Sequence, residues 1–310
     1  MIADIYKVLT TDAASGGVLI PEALDREIAD LAWRSSELYA YLTSFEIPWD
    51  TNTYYYNELT AYGNARAVSE TTAHSAFGPT YNSGGSAKLY VPLKTTRADR
   101  QYTVELVNAS TLYNQAEAIE ESSNALVMEL ERLYIQGNTG LNALEYNGLS
   151  NLVTSSISAS CVACSLTQLD RMYETVEQNG GVPGVFVLAI KDRQRIIRDL
   201  RIQGLENLQT FEKEGFAKKW QFEMYRGCPV LASHKMLTTL GTGSESEAFC
   251  LDSRYIRVPF NPVDKRFVLD TEVPVSSPAK AMYVWTKRCL VLKGASVGMH
   301  VRMKNILTTL

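Results

Sequence analysis

The sequence has little excess charge, no long apolar run and no recognisable secretory signal. Lysine and arginine total 30 and aspartate and glutamate total 34, which leaves a net charge of −4 at pH 7. A chain that grips nucleic acid is usually basic, so specific DNA or RNA binding is not predicted. The longest apolar runs, such as VFVLAI at 185–190, are far too short to span a bilayer, and the first residues include Asp4 but no apolar core. We expect a soluble protein made in the cytoplasm.

Cysteine is scarce as well, and its 5 copies are an odd number that does not suit a disulfide framework. Cys161 and Cys164 in CVAC supply only two of the four ligands of a structural zinc, and Cys228 and His234 do not follow at zinc-finger spacing. A redox pair would lie at a helix start, and Ser165 does open a predicted helix. Small buried thiols are the favoured interpretation, with redox chemistry and metal binding as alternatives.

The sequence also lacks the motifs of common catalytic sites. Its 3 histidines, His74, His234 and His300, lie in different regions, and no G-x-S-x-G nucleophile context is present. Neither a G-x-x-x-x-G-K-[ST] phosphate loop nor a G-x-G-x-x-G turn after a strand occurs. We therefore predict a protein that is not an enzyme and that has no cofactor and no metal site.

What the sequence does contain is an ordinary globular composition, 45% hydrophobic and 21% charged over 310 residues. Its dominant feature is a helix predicted from about Thr103 to Gln136. One face carries apolar and small residues at alternating four- and three-residue steps: Leu112, Ala116, Ile119, Ser123, Leu126, Leu130 and Leu133. Acidic residues lie off this stripe: Glu117, Glu120, Glu121, Glu129 and Glu131. Such a helix is a strut of roughly 50 Å. We expect it to join two lobes and to pack on a sheet of the same chain rather than in a coiled coil.

The chain ahead of this helix divides into an arm, a shorter helix and a hairpin. Residues 1–20 are predicted to be an extended arm, and a helix is predicted at about 21–43, opened by Pro21. From Phe45 to about Tyr102, β-branched and aromatic residues punctuated by glycine predict a long hairpin with a flexible tip. A two-stranded ribbon alone is marginal in water, so we expect it to lie on another lobe or another subunit.

The second half of the chain alternates helices and strands. Ser165 and Gln168 form a capping-box pattern that opens a helix ended by Gly180, a buried strand follows, and the next helix ends at Gly204. Several strands are predicted over 248–310, so the fold class is α+β. The helix before Gly204 carries a basic cluster: Lys191, Arg193, Arg195, Arg198 and Arg201. A solvated helix face is favoured for this cluster over a phosphate site, because Asp192 and Asp199 are interleaved with it.

The order of these parts resembles the major capsid proteins of tailed double-stranded DNA phages, which have the Hong Kong 97-type fold. The resemblance lies in these segments: SGGVLIPEALDREIADLAWRSSELYAYL, the long hairpin, the long helix, QGNTGLNALEYNGL, LTQLDRMYETV with VFVLAIKDRQRIIRDLR, and GCPVLASHKM. It covers nearly the whole chain in the same order. It implies a fold with an N-terminal arm, an E-loop hairpin, a P-domain with a long spine helix, and an A-domain.

The resemblance also implies a domain layout and a contact surface. Residues 1–44 would be the N-terminal arm and first helix, and residues 45–100 the E-loop. Residues 101–150 would be the P-domain with its spine helix, 151–248 the A-domain, and 249–310 the return strands of the P-domain. Aromatic residues are typical interface anchors, so those of the E-loop are the candidate contacts with a neighbouring subunit: Trp49, Tyr54, Tyr55, Tyr56 and Tyr90.

On this resemblance, the protein self-assembles through hexamers and pentamers into an icosahedral shell that encloses double-stranded DNA, and it is located in the virion after assembly in the host cytoplasm. Many relatives carry an N-terminal scaffolding segment, whereas this sequence enters the arm almost at once after Met1. We therefore expect a separate scaffolding protein, besides a portal; the resemblance leaves open whether a decoration protein binds. The alternatives are an encapsulin-like compartment that stores cargo enzymes and an enzyme that uses the CVAC thiols.

Overall fold

A computed structural model of the chain describes residues 37–59, 86–103, 115–160, 162–204, 208–211, 220–238, 245–262, 268–272 and 279–307. Several sequence-based predictions lie outside these residues: the arm at 1–20, the start of the helix at 21–43, the hairpin tip at 60–85, His74 and Cys161. The chain divides into two compact units. The smaller comprises Met1–Ser35, Arg97–Leu126 and Phe267–Trp285, and the larger comprises Ser36–Thr96, Val127–Arg266 and Thr286–Leu310.

Local signals in the sequence account for several helix boundaries. The described α-helices are Glu37–Leu42 (α1), Gln115–Gln136 (α2), Leu149–Leu152 (α3), Leu166–Gln178 (α4) and Ile190–Ile202 (α5). The predicted capping box opens α4, where the backbone N–H of Ser165 donates to Oε1 of Gln168 at 3.3 Å. Gly180 and Gly204 follow α4 and α5 with φ of 78° and 67°, a conformation that favours glycine. No helix among the described residues is long and apolar enough to cross a membrane.

The long helix is confirmed, but its predicted start is wrong. Thr103 ends a strand, Lys94–Thr103 (β4), and the described helix begins only at Gln115, with residues 104–114 outside the described part. Leu126, Leu130 and Leu133 of the predicted apolar stripe are buried. Glu131, one of the acidic residues off this stripe, is buried rather than on a solvent-exposed face. It is 3% exposed and accepts a hydrogen bond from the hydroxyl of Ser233.

A seven-stranded mixed sheet forms the main layer of the larger unit. Its strands are Ser155–Ser158 (β5), Val185–Ala189 (β6), Leu208–Phe211 (β7), Trp220–Tyr225 (β8), Cys228–Ser233 (β9), Glu245–Leu251 (β10) and Val301–Leu307 (β15). Their order is β5-β15-β10-β6-β9-β8-β7, with β5 parallel to β15, β6 parallel to β9 and the other pairs antiparallel. Every residue of β6 is buried, as its uninterrupted apolar run predicts.

Helices α4 and α5 pack with this sheet around one apolar core. Leu169, Met172 and Val176 follow one another at three- and four-residue steps and so share a face of α4. Ile196 and Leu200 contribute the buried face of α5. The sheet side of the same core contains Phe186, Leu188, Val230, Ala248, Cys250, Val301 and Met303. The combination of helices and mixed strands confirms the α+β class.

Short strands complete both units. In the larger unit, Glu46–Pro48 (β1) runs parallel to Ile256–Phe260 (β11), which also pairs with Val291–Leu292 (β14). The hairpin strands are Thr53–Leu59 (β2) and Ser86–Pro92 (β3), so hairpin pairing covers only part of the predicted 45–102 segment. In the smaller unit, Val268–Glu272 (β12) pairs with Ala279–Arg288 (β13), the partner of β4. Residues 295–297, expected in a strand, form a 3-10 turn.

A fully buried arginine lies at the end of β13, within the larger unit. Arg288 is 0% exposed, and its guanidinium is 3.1 Å from Oε1 of Glu46 in β1. It also donates to the hydroxyl of Tyr134 in α2 at 3.3 Å and to that of Thr286 at 3.1 Å. The ring of Tyr39 in α1 lies 6.0 Å below the guanidinium carbon. Two helices and two strands therefore converge on one buried cation.

Candidate functional site: a two-faced hairpin

The hairpin β2/β3 carries four of the five aromatic residues predicted to contact a neighbour. Its register places Tyr55 opposite Tyr90 and Tyr54 opposite Val91. Successive side chains of a strand point to opposite faces, and directly opposed residues share a face. Tyr54, Tyr56 and Glu58 therefore lie on one face of the hairpin, and Tyr55 lies with Tyr90 on the other. We call these the inner and outer faces.

The inner face packs against residues of its own chain. Tyr54 is 6% exposed, and its ring meets the indole of Trp49 edge-on at 4.8 Å between centroids. Trp49 is fixed in turn, because its indole N–H donates to the carbonyl of Thr53 at 2.7 Å. The ammonium of Lys293 lies 5.9 Å from the Tyr54 ring and 5.7 Å from the Tyr56 ring. Burial, together with the nearby carboxylate of Glu58, raises the pKa of Tyr56 to about 12.

A carboxylate clamps the same face to the turn after β14. Oε1 of Glu58 accepts the backbone N–H of Gly294 at 2.6 Å, and Oε2 accepts the hydroxyl of Ser296 at 3.1 Å. Gly294 has a φ of 76°, so the turn that presents this N–H needs a residue that tolerates the left-handed region. Further along, the ammonium of Lys287 donates to Oδ1 of Asn52 at 2.7 Å. The hairpin is thus attached to its own chain at its base and along its inner face.

A buried histidine makes a hydrogen bond to the residue that precedes that turn. His300 is 0% exposed; its Nε2 lies 2.9 Å from the carbonyl of Lys293, and its Nδ1 accepts the backbone N–H of Asp252 at 3.2 Å. This pattern needs the neutral tautomer with its proton on Nε2. Burial lowers the pKa of His300, which favours the same neutral form.

The outer face has the opposite character. Tyr55 is 49% exposed and Tyr90 is 70% exposed, with 6.5 Å between their ring centroids. The ammonium of Lys88 lies 5.1 Å from the centre of the Tyr55 ring. Of the five predicted residues, the structure therefore exposes Tyr55 and Tyr90, whereas Trp49, Tyr54 and Tyr56 support the hairpin from inside. Sequence reasoning missed Glu58 and its partners, although the alternation of Tyr54, Tyr55 and Tyr56 was a signal for two faces.

Within the CVAC segment, the structure describes the thiol of Cys164, and this thiol is structural in character. Cys164 is 3% exposed and lies in the core shared by α4 and α5. Burial raises the pKa of Cys164 to about 12, whereas redox-active thiols have a lowered pKa. Within the described part of the chain, no group of three or more His, Cys, Asp or Glu residues is placed to hold a metal ion. His234 is exposed and Cys228 is buried.

The basic cluster of α5 is only partly solvated, contrary to expectation. The side chain of Arg193 is 15% exposed and pairs with Glu37 of α1 at 2.5 Å. Glu37 also accepts the backbone N–H of Ala232 in β9, so this ion pair ties α1 to α5 and the sheet. The side chain of Arg195 is 14% exposed and donates to the carbonyl of Leu307 at 2.7 Å. Both arginines have structural partners because the chain folds back on this helix, which the sequence of the helix alone does not reveal.

Comparison with known proteins gives matches at the level of structure. No family model and no curated protein matches the sequence. The capsid of cyanophage A-1(L) matches with a TM-score of 0.67 and 11% identity over 95% of this chain and 99% of that chain. The capsid of a native GTA particle matches with a TM-score of 0.65 and 13% identity over 95% and 98%. The SrpI encapsulin of Synechococcus elongatus PCC 7942 matches with a TM-score of 0.64 and 14% identity over 97% and 96%.

These similarities cover nearly the full length of both partners in each comparison. The chain therefore has the Hong Kong 97-type capsid fold, and the fold implied by the resemblance in its sequence is confirmed. At 11% to 14% identity the comparisons define the fold, which phage capsids, a GTA capsid and an encapsulin share.

Proposed function

We propose that this chain is the major capsid protein of a tailed double-stranded DNA phage and that it assembles through hexamers and pentamers into an icosahedral shell. The observation that carries the proposal is the full-length match to particle capsids, with 95% of this chain covered at TM-scores of 0.65 and 0.67. Closed symmetric assemblies repeat one contact many times, so modest contacts add up to a stable particle. In this role the protein is structural rather than catalytic and is located in the virion.

The hairpin is the proposed contact with a neighbouring subunit. Tyr55 and Tyr90 supply exposed aromatic area, which is a typical anchor of interfaces. Trp49, Tyr54 and Tyr56 hold the hairpin in a fixed position, so less conformational entropy is lost on docking. In this proposal residues 45–100 act as the E-loop, 1–44 as the arm and first helix, 101–150 and 249–310 as the P-domain, and 151–248 as the A-domain.

Several partners follow from this role. A separate scaffolding protein would set shell size, a portal would occupy one vertex, and a decoration protein would bind outside. The packaged double-stranded DNA would be confined without sequence-specific contacts, which is consistent with a net charge of −4. Assembly would take place in the host cytoplasm.

An encapsulin-like compartment that stores cargo enzymes is the second candidate. Its support is the match to the SrpI encapsulin over 97% of this chain, at a TM-score close to those of the capsids. Both candidates need a closed shell, and they differ in what the shell contains.

Electron microscopy of purified particles, with mass per particle and content analysis, tests the proposal. Closed icosahedral shells that contain double-stranded DNA would support the phage role, and shells with a protein cargo would select the compartment. A chain that stays monomeric under all conditions would refute both.

The hairpin contact is tested by Tyr55→Ser with Tyr90→Ser, compared with Ile202→Ser, which replaces an apolar side chain 77% exposed on α5. We expect the hairpin variant to fold normally and to assemble poorly, and the control to assemble as the wild type does.

The enzyme alternative is tested by replacing Cys161 and Cys164 with serine. Loss of a bound metal or of a redox activity in that variant would revive it, and a wild-type protein with neither a bound metal nor a redox activity would remove it. Stability is not the readout, because Cys164 lies in the core and its replacement lowers stability under either hypothesis.

A further inference from the structure

The turn between α2 and α3 is closed at its base by two glycines. The backbone N–H of Gly148 donates to the carbonyl of Gly137 at 2.8 Å, so the ends of the turn meet. A Cβ atom at Gly148 would lie 2.5 Å from the carbonyl oxygen of Leu133, and one at Gly137 would lie 2.6 Å from the same oxygen. Only glycine fits such a close backbone approach. We call residues 137–148 the closed turn; compact loops of this kind are frequently functional.

Side-chain hydrogen bonds fix the closed turn internally. Three asparagines each accept backbone N–H groups: Asn138 from Gly140 at 2.8 Å, Asn142 from Leu144 at 3.0 Å, and Asn147 from Thr139 at 3.0 Å. Glu145 pairs with Arg132 of α2 at 2.7 Å. The ammonium of Lys94 donates to the carbonyl of Ala143 at 2.7 Å. The backbone of the turn is therefore held at many points, and the ring of Tyr146, 1% exposed, lies 5.9 Å from that of Tyr134 in α2.

This well-bonded turn presents two leucines to solvent. Leu141 is 88% exposed and Leu144 is 78% exposed, the highest fractions among large apolar residues in the described ranges. Neither contributes to the packing of the chain. The run from Asn138 to Leu144 carries no charged side chain, so a small uncharged apolar surface stands on a rigid support.

We propose that the closed turn is a self-association contact, in which Leu141 and Leu144 dock on a second copy of this chain. The inference rests on the proposed shell function. Area argues for a second copy rather than a single soluble partner, because two leucine side chains bury far less than the roughly 800 Å² per partner of a stable two-body interface. A contact this small becomes effective when a closed assembly repeats it and other contacts hold the same subunits. The net charge of the chain is consistent with this occupant. Two copies that each carry a net charge of −4 repel each other, and the repulsion is smallest where uncharged surfaces meet.

The test uses a double variant that carries both Leu141→Ser and Leu144→Ser. Its control is Ile202→Ser, which removes an apolar side chain that is 77% exposed elsewhere on the chain. We expect the thermal unfolding of unassembled subunits to match the wild type in both variants, because no core contact is lost. We expect the double variant to need about tenfold more protein for half-maximal assembly, measured by sedimentation, and the control to need the same amount as the wild type.

Photo-crosslinking identifies the occupant directly. Benzoylphenylalanine replaces Leu141, and isotopically heavy and light chains are mixed before assembly; heavy–light crosslinked peptides in particles support the proposal. Crosslinks confined to one chain, or formed only to another protein, overturn the inference. Assembly of the double variant at the wild-type concentration overturns it as well. In these cases the proposed function still stands if the wild type forms shells. If the wild type forms no assembly, the proposed function fails and this inference fails with it.

Discussion

The buried cation of the larger unit allows one quantitative prediction. Arg288→Met removes a guanidinium that is 0% exposed and leaves the Glu46 side chain, 3% exposed, without the cation facing it at 3.1 Å. Methionine has a similar length and fills most of the space of the arginine stem, so cavity formation adds little. Removing one partner of a buried ion pair costs about 3–5 kcal/mol, because the remaining charge stays out of water. The hydroxyl of Tyr134 also loses its donor at 3.3 Å.

Companion variants separate these contributions. Glu46→Leu combined with Arg288→Met removes both charges, but the buried hydroxyls of Tyr134 and Thr286 both lose their donor. Each buried hydroxyl left unsatisfied costs about 1–3 kcal/mol. Adding Tyr134→Phe removes the contribution of the Tyr134 hydroxyl, so we expect the triple variant to be more stable than the double variant, with the loss at Thr286 remaining. Arg288→Lys keeps the charge but not the planar fork that reaches Glu46, Tyr134 and Thr286 together, so it should be intermediate.

Urea unfolding of unassembled subunits, followed by intrinsic fluorescence and circular dichroism, measures these differences. With a slope of about 3 kcal/mol per molar urea, the single variant should unfold at a midpoint roughly 1–1.7 M lower than the wild type. A loss below about 1 kcal/mol for Arg288→Met, or a double variant no more stable than the single one, would refute the assignment of a desolvated ion pair.

Three further outcomes follow from the hairpin, the closed turn and the buried histidine. Glu58→Gln should weaken the clamp on Gly294 and Ser296, so hydrogen exchange in both hairpin strands should quicken at unchanged global stability; unchanged exchange would contradict the clamp. Gly148→Ala should lower the unfolding midpoint, whereas Gly140→Ala, whose Cβ meets only a side-chain oxygen at 3.1 Å, should not, and equal effects would contradict the close approach. The pKa of His300 is lowered from 6.5 by burial, so the unfolded chain binds the proton more tightly. The contribution of His300 to the unfolding free energy should be fully present above about pH 6.5 and should decrease as the pH falls below that value. In urea titrations at about pH 5–7.5, His300→Gln should reduce the dependence of the unfolding free energy on pH.

Local chemistry allowed much of the fold to be predicted. The capping box of Ser165 and Gln168, the positive-φ glycine at 180 and the apolar run of β6 are each decided within a few residues, so they are visible in the sequence. Glu131 and Arg193 were misinterpreted for the opposite reason. Their partners, Ser233 and Glu37, lie 102 and 156 residues away, and periodicity within one helix says nothing about them.

The hairpin shows how a correct cluster can hide two roles. Tyr54, Tyr55 and Tyr56 are consecutive, and composition alone treats them alike. The strand period of two separates them, and the clamp of Glu58 on the turn at Gly294 decides which set faces the chain and which faces outward. Presentation of Tyr55 and Tyr90 therefore depends on the residues of the inner face. A variant of the inner face that leaves both exposed tyrosines in place should still lose assembly. The contacts of the inner face fix the orientation in which the outer face presents Tyr55 and Tyr90, so weakening those contacts increases the entropy lost on docking.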